Sequence, residues 1–181
     1  MYIQQQYSAL WGKCLCHRGA DILNSTFTNS TSKDGTGIIS YAPITITDSI
    51  FKNLTADDDG GAVISLDIGI IKNCIFNNNS AKRGGSIASF GEINISNTNF
   101  TNSKSEYATA LYGEGTVTIL DSIFANLSAN KTAGAIGIKN PDYVEIDNCT
   151  FTNTSAVKNG GAAYIDKGTN PIGFYTHITN S

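Results

Sequence analysis

Six phenylalanines, Phe27, Phe51, Phe76, Phe100, Phe124 and Phe151, follow one another at intervals of 24, 25, 24, 24 and 27 residues, and each brings the same neighbours. Five residues earlier stands an isoleucine (Ile22, Ile46, Ile71, Ile95, Ile119, Ile146), and three earlier an Asn or Asp (Asn24, Asp48, Asn73, Asn97, Asp121, Asn148). Two earlier the residue is small (Ser25, Ser49, Cys74, Thr98, Ser122, Cys149), and two later it is always asparagine (Asn29, Asn53, Asn78, Asn102, Asn126, Asn153). Glycines cluster further on, as Gly60-Gly61, Gly84-Gly85 and Gly160-Gly161, with partial copies at Gly35, Gly37 and Gly134; the fourth copy breaks this rule with Ala108-Thr109-Ala110. A period of this length in register marks a repeat architecture, in which one supersecondary unit cannot bury its apolar face alone and stacks on its copies.

The local rhythm selects the kind of unit. Ile44-x-Ile46, Ile93-x-Ile95, Val117-x-Ile119 and Val144-x-Ile146 alternate with period two, and Asn and Gly punctuate them. Such segments predict strands of about three to five residues. Helical repeats need a 3.6-residue rhythm, and the consensus of leucine-rich repeats is not present. The expected fold is therefore all-β, a right-handed parallel β-helix of about six to seven coils of 24–27 residues. Coils stacked ~4.8 Å apart turn each sequence position into a column. Phe and Ile columns fill the interior. The Asn column forms a turn in which side-chain amides bond to backbone and to one another. The Gly pair makes a bend where a positive φ or close packing excludes a β-carbon.

Columns also decide the cysteines. Cys74 and Cys149 share one slot three coils apart, ~14 Å, which is too far for a disulfide, so they are read as small core fillers. Cys14-Leu15-Cys16-His17 is half a metal motif without its second half. Residues 1–19 are expected to be a partial preceding coil or an irregular N-terminal segment, with Ser8-Ala9-Leu10-Trp11-Gly12 matching the coil tail Thr109-Ala110-Leu111-Tyr112-Gly113. Residues 20–181 form the repeat domain, in which Ile178-Thr179-Asn180-Ser181 opens another coil. Phe174 and Tyr175 are the residues available to shield that end. We read the chain as a segment of a longer protein or a truncated product. The net charge of −3 supplies no basic footprint for nucleic acid, and no run of about 20 apolar residues is present to span a bilayer.

Phe51-Lys52-Asn53 with Gly60-Gly61-Ala62-Val63, and Phe151-Thr152-Asn153 with Gly160-Gly161-Ala162-Ala163, resemble repeats of the polymorphic-outer-membrane-protein type and the adhesin-like β-helix repeats of methanogenic archaea and some protists. The resemblance covers about 20–181 and implies an extracellular or cell-surface, non-catalytic stalk or adhesin, with surface proteins or glycans as partners and end-to-end stacking open to its coils.

Parallel β-helices of the pectin-lyase-like kind also carry enzymes of acidic sugars, and this gives the alternative. Asp57-Asp58-Asp59 occupy one turn and Lys82-Arg83 the matching turn of the next coil, an arrangement suited to calcium or a lyase-like pair. The competing expectation is a solvated turn with cross-coil ion pairs, because Lys33-Asp34, Lys104, Glu106, Lys131 and Lys158 put charge at the same corner. Asp48, Asp121 and Asp147 are scattered, His17 and His177 lie at opposite ends, and no nucleophile–base pair is visible, so no catalytic residue and no cofactor are assigned. Most N-x-S/T asparagines fall on the ladder positions. Asn94, Asn99 and Asn130 lie off them and are the glycosylation candidates. Tyr41, Tyr107, Tyr112, Tyr143 and Tyr164 follow no single column in the sequence and are read as loop packing, with a glycan-binding surface as the lesser alternative.

Overall fold

A computed structural model describes residues 8–9, 14–168 and 175–181. Leu10, Trp11, Gly12 and Phe174, named above for their places near the two ends, lie outside them. The described residues contain no helix; they form a parallel β-solenoid of about six turns. Two sheets, one of nine and one of twelve strands, wrap the tube, and every strand pairing is parallel and joins successive coils.

The expected columns are the packing units. Phe27 registers with Phe51, Phe51 with Phe76, and so on through Phe100 and Phe124 to Phe151. Their rings stack at 4.7–5.1 Å between centroids and lie within 10° of parallel. The four central rings are fully buried. The Ile22-to-Ile146 column lines up likewise and continues to Ile178. A third interior column, Ile38, Val63, Ile87, Leu111 and Ile136, closes the cross-section.

Two asparagine columns turn the chain. All six Asn or Asp residues before the Phe, and all six asparagines after it, adopt φ between 46° and 56°. That left-handed conformation costs most L-residues about 1–2 kcal/mol, and Asn tolerates it best because its short amide bonds locally. The amides do bond between coils: Asn53 Nδ2 donates to Asn29 Oδ1 at 2.8 Å, and Asn78 Nδ2 to Asn53 Oδ1 at 2.8 Å. Asn73 donates to Asp48 and Asn148 to Asp121 in the other column.

The glycine pair divides its labour. The first glycine carries the positive φ (Gly60 55°, Gly84 61°, Gly160 66°), and Ala108 (55°) and Ala133 (62°) hold the same conformation, so the fourth coil keeps the bend without its glycine. The second glycine makes room: a β-carbon on Gly61 would sit 1.9 Å from the Gly85 carbonyl oxygen.

Strand lengths depart from expectation. Leu111–Leu120, Ile123–Thr132 and Ile136–Asp147 run through corners for ten to twelve residues, and in the last two the extra residues of the 27-residue interval enter as bulges. The register between these coils slips by one near Asn130 and by two near Pro141, with Asn130, Asn140 and Asp142 exposed. The N-terminal correspondence is corrected: Ser8 and Ala9 register with Thr26 and Phe27, not with a coil tail, and that tail is supplied by Cys14–Cys16 beside Ile38–Ser40. At the other end Asn180 (φ 50°) and Ser181 take the turn and small-residue positions.

The small column is a hydroxyl column as much as filler. Ser122 Oγ donates to the Leu120 carbonyl at 2.7 Å and accepts from Thr98 N at 3.2 Å, and Ser49 does the same between Thr47 and Ser25. Cys74 and Cys149 keep the donation through sulfur, to Lys72 and Asp147. Elsewhere Ser86 Oγ is buried with no hydrogen-bond partner, at a position that is alanine in the neighbouring coils (Ala62, Ala110). Ser86→Ala removes an unsatisfied hydroxyl and is expected to stabilise the fold by about 1 kcal/mol, measured as a rise in the urea midpoint.

Candidate functional site

The strand that holds the third interior column also carries an outward neighbour: Ile39, Ile64, Ala88, Tyr112, Gly137, Tyr164. Tyr112 and Tyr164 therefore do share a column, which the sequence spacing hid because Gly137 separates them. In the lower coils this column forms a small satellite core of Ile39, Ile64 and Ala88 with Phe90 against it. In the upper coils Ala108, Tyr112 and Ala133 continue it, with Tyr164 packed alongside. At Gly137 the column has no side chain, and a groove of about 290 Å³ opens there, lined by Tyr107, Tyr112, Tyr164, Arg83, Lys139 and Asp166 among others.

Charged side chains set the groove's edges. Arg83 forks onto Asp59, Nε to Oδ1 at 2.7 Å and Nη2 to Oδ2 at 2.5 Å, and its guanidinium lies 5.2 Å from the Tyr112 ring centre and 5.8 Å from that of Phe90. Tyr112 Oη donates to Glu114 at 2.8 Å; burial, then this bond, pushes its phenol up to about 12. Lys131 bonds Glu106 at 2.7 Å and sits 4.8 Å over Tyr107, holding the exposed Glu106 carboxyl below its usual range. Lys139 stands beside Asp166 in the strand register and has no ion-pair partner among the described residues.

The sequence-nominated residues divide. Of the acidic run, Asp59 is taken by Arg83, the cross-coil pairing that the column logic allowed. Asp57 is exposed and borders a second, open groove of about 320 Å³ with Lys82, Lys104, Glu106 and Asn130. Asp58 meets the next coil through its backbone carbonyl, which accepts from Lys82 N and Arg83 N. Among the described residues no three His, Cys, Asp or Glu side chains converge as metal ligands. Asn94 donates to Glu92 at 2.9 Å; Asn99 is half-buried between Ile75 and Ile123; Asn130 is exposed at the inserted residue. Tyr41 stacks on His17 and Tyr143 on Tyr175, away from the groove.

The four cysteines are all free thiols. Cys14 and Cys16 approach to 3.5 Å; the Cys16 hydrogen bond draws the Cys14 thiol down to about 7 against partial burial, and the same bond raises Cys16. Burial pushes Cys74 up to about 11 and also raises Cys149. At pH 8 an aromatic disulfide reagent is expected to label Cys14 first, with Cys74 and Cys149 reacting only after unfolding; fast labelling of Cys74 in the native protein contradicts this. Native Cys74 stays protonated where its unfolded counterpart ionises, near 9.0, so its share of stability is lost as pH rises from about 9 to about 11.

No family model, curated protein or solved structure matches the chain.

Proposed function

We propose that this chain is a non-catalytic β-solenoid interaction module of an extracellular or cell-surface protein, binding proteins or glycans through one corner. The observation that carries it is where the coils differ. Interior columns repeat the same residue class from coil to coil, whereas the adjoining outward column changes from Ile to Ala, Tyr, Gly and Tyr, and in the coil of Gly137 residues are inserted both before and after the strand that carries it. A constant interior with a varied corner is how a scaffold carries specificity in loops without altering its fold. The repeat resemblance to polymorphic-outer-membrane-protein and adhesin-like coils supports the same reading.

The full chain displayed on beads should retain intact microbial or animal cells in a saturable way and leave polysaccharides unaltered. Turnover of any polysaccharide, or retention no better than that of an unrelated β-solenoid, overturns the proposal. The second reading is a pectin-lyase-like enzyme, and the groove between Asp57, Lys82, Lys104 and Glu106 is what favours it, since acidic and basic groups face one opening. Unsaturated product from a uronic-acid polymer, lost in Asp57→Ala, supports that enzyme.

A further inference from the structure

We propose that the gap at Gly137 is a stacking subsite for one uncharged hexopyranose ring of a glycan. This deepens the interaction-module reading and rests on it. Tyr112 and Tyr164 lie one coil below and one coil above Gly137, about 9.6 Å apart along the axis by two strand spacings. In the interior Phe file rings stack one per coil at 4.7–5.1 Å, and the same coil spacing leaves the height of one rung between the backbone positions of Tyr112 and Tyr164, where the groove lies. A β-carbon there would meet Ala108 Cβ at 2.8 Å and Ala133 Cβ at 3.0 Å, so these two methyl groups already fill the place beside the backbone where a side chain would start, and the groove between Tyr112 and Tyr164 opens outside them.

The choice of occupant follows from the rim. A flat aromatic ring satisfies the two tyrosines but leaves the polar rim unused. A pyranose presents apolar C–H faces above and below, at a ring-centre spacing of about 4.5–5 Å, and hydroxyls around its equator, where Lys139, Thr132 and Tyr107 line the opening. The charge is balanced: Asp59 neutralises Arg83, and Lys139 neighbours Asp166. A rim of that kind hydrogen-bonds hydroxyls without a net pull on a carboxylate.

The test uses the whole chain, ¹⁵N-labelled, with a neutral glucose hexasaccharide, trigalacturonate and N-acetyl-tyrosinamide as separate probes. The hexasaccharide is expected to shift the amides of Gly137 and Tyr164. Tyr164→Ala is expected to weaken that binding about tenfold, near the worth of one ring contact. Its Tm should stay within about 2 °C, because Tyr164 is only half-buried. Tyr112→Phe keeps the ring and should keep the binding. No shift at these amides up to about 10 mM saccharide, weaker than any useful contact, overturns the subsite. So does tighter binding of trigalacturonate, a response to the tyrosine amide alone, or saccharide binding as tight in Tyr164→Ala as in the parent. Cleavage of the hexasaccharide overturns the non-catalytic reading and leaves the subsite standing. Saccharide shifts confined to another face sink the subsite and leave the module.

Discussion

Phe100→Ala is expected to cost about 4 kcal/mol, the upper part of the range for removing a large buried side chain. The ring is fully buried and stacks on Phe76 at 4.9 Å and on Phe124 at 5.1 Å, so truncation leaves a void with a cut file on both sides. The column offers no mobile neighbour to collapse into it, because each ring is fixed by the strand register of its own coil. Urea denaturation should show a lower midpoint and a shallower slope, since coils on the two sides lose coupling and cease to unfold as one. Phe151→Ala is the control. That ring is half-buried and stacks on one neighbour at 4.8 Å, so its loss should be less than half as large. Equal losses at the two sites count against the ladder as the main source of core stability.

Gly61→Ala is expected to cost about 3 kcal/mol, while Gly161→Ala is neutral or stabilises by a few tenths. The two occupy the same place in their coils. At Gly61 the added carbon falls 1.9 Å from the Gly85 carbonyl oxygen and 2.7 Å from that of Ser80, both backbone atoms of the next coil. Relief requires the coils to move apart and stretch the Gly61 N to Gly84 O bond of 3.1 Å. At Gly161 the nearest atom is the Thr154 oxygen at 3.5 Å, an ordinary contact. Thermal unfolding of both variants decides it, and a Gly61→Ala protein as stable as the parent rejects the close-packing account.

Two coils put threonine where the others put this second glycine, and they show what accommodates it. Thr36 Oγ1 lies 3.1 Å from Ser32 Oγ and donates to the Thr55 carbonyl; Thr109 Oγ1 lies 3.1 Å from Ser105 Oγ. The coils with glycine carry alanine in the column of Ser32 and Ser105, at Ala56, Ala81, Ala129 and Ala156. Threonine comes with serine and glycine with alanine, so the two positions change together and a buried hydroxyl is not left alone.

That coupling was not legible from the sequence, where the fourth copy reads as a broken glycine rule; partners four residues apart in a bend meet only once the bend's shape is known. The columns themselves were legible, because a parallel stack converts sequence period directly into contact and the Phe, Ile and Asn positions recur with little drift. Spacing failed where residues were inserted or deleted. The extended strand Ile136–Asp147 absorbs its bulges as strand, and Ser8 and Ala9 register with Thr26 and Phe27 rather than at the position their sequence suggests. The groove was half legible. Its tyrosines were noticed, but the residue that makes it is a glycine, and a column is hard to see from the rung that lacks a side chain. Asn79 was missed for a related reason. It stands in the column of Leu54 and Leu127, yet it is buried there, bonding Leu54 N at 3.0 Å and the Phe51 carbonyl at 3.1 Å.

Because each phenylalanine meets the next in the same register, a segment such as 77–100 could be excised whole and Phe76 would land on Phe124 as Phe100 now does. Duplication does the reverse. Rod length is therefore a quantised variable, adjustable by unequal recombination in steps of ~4.8 Å without a new core having to be invented.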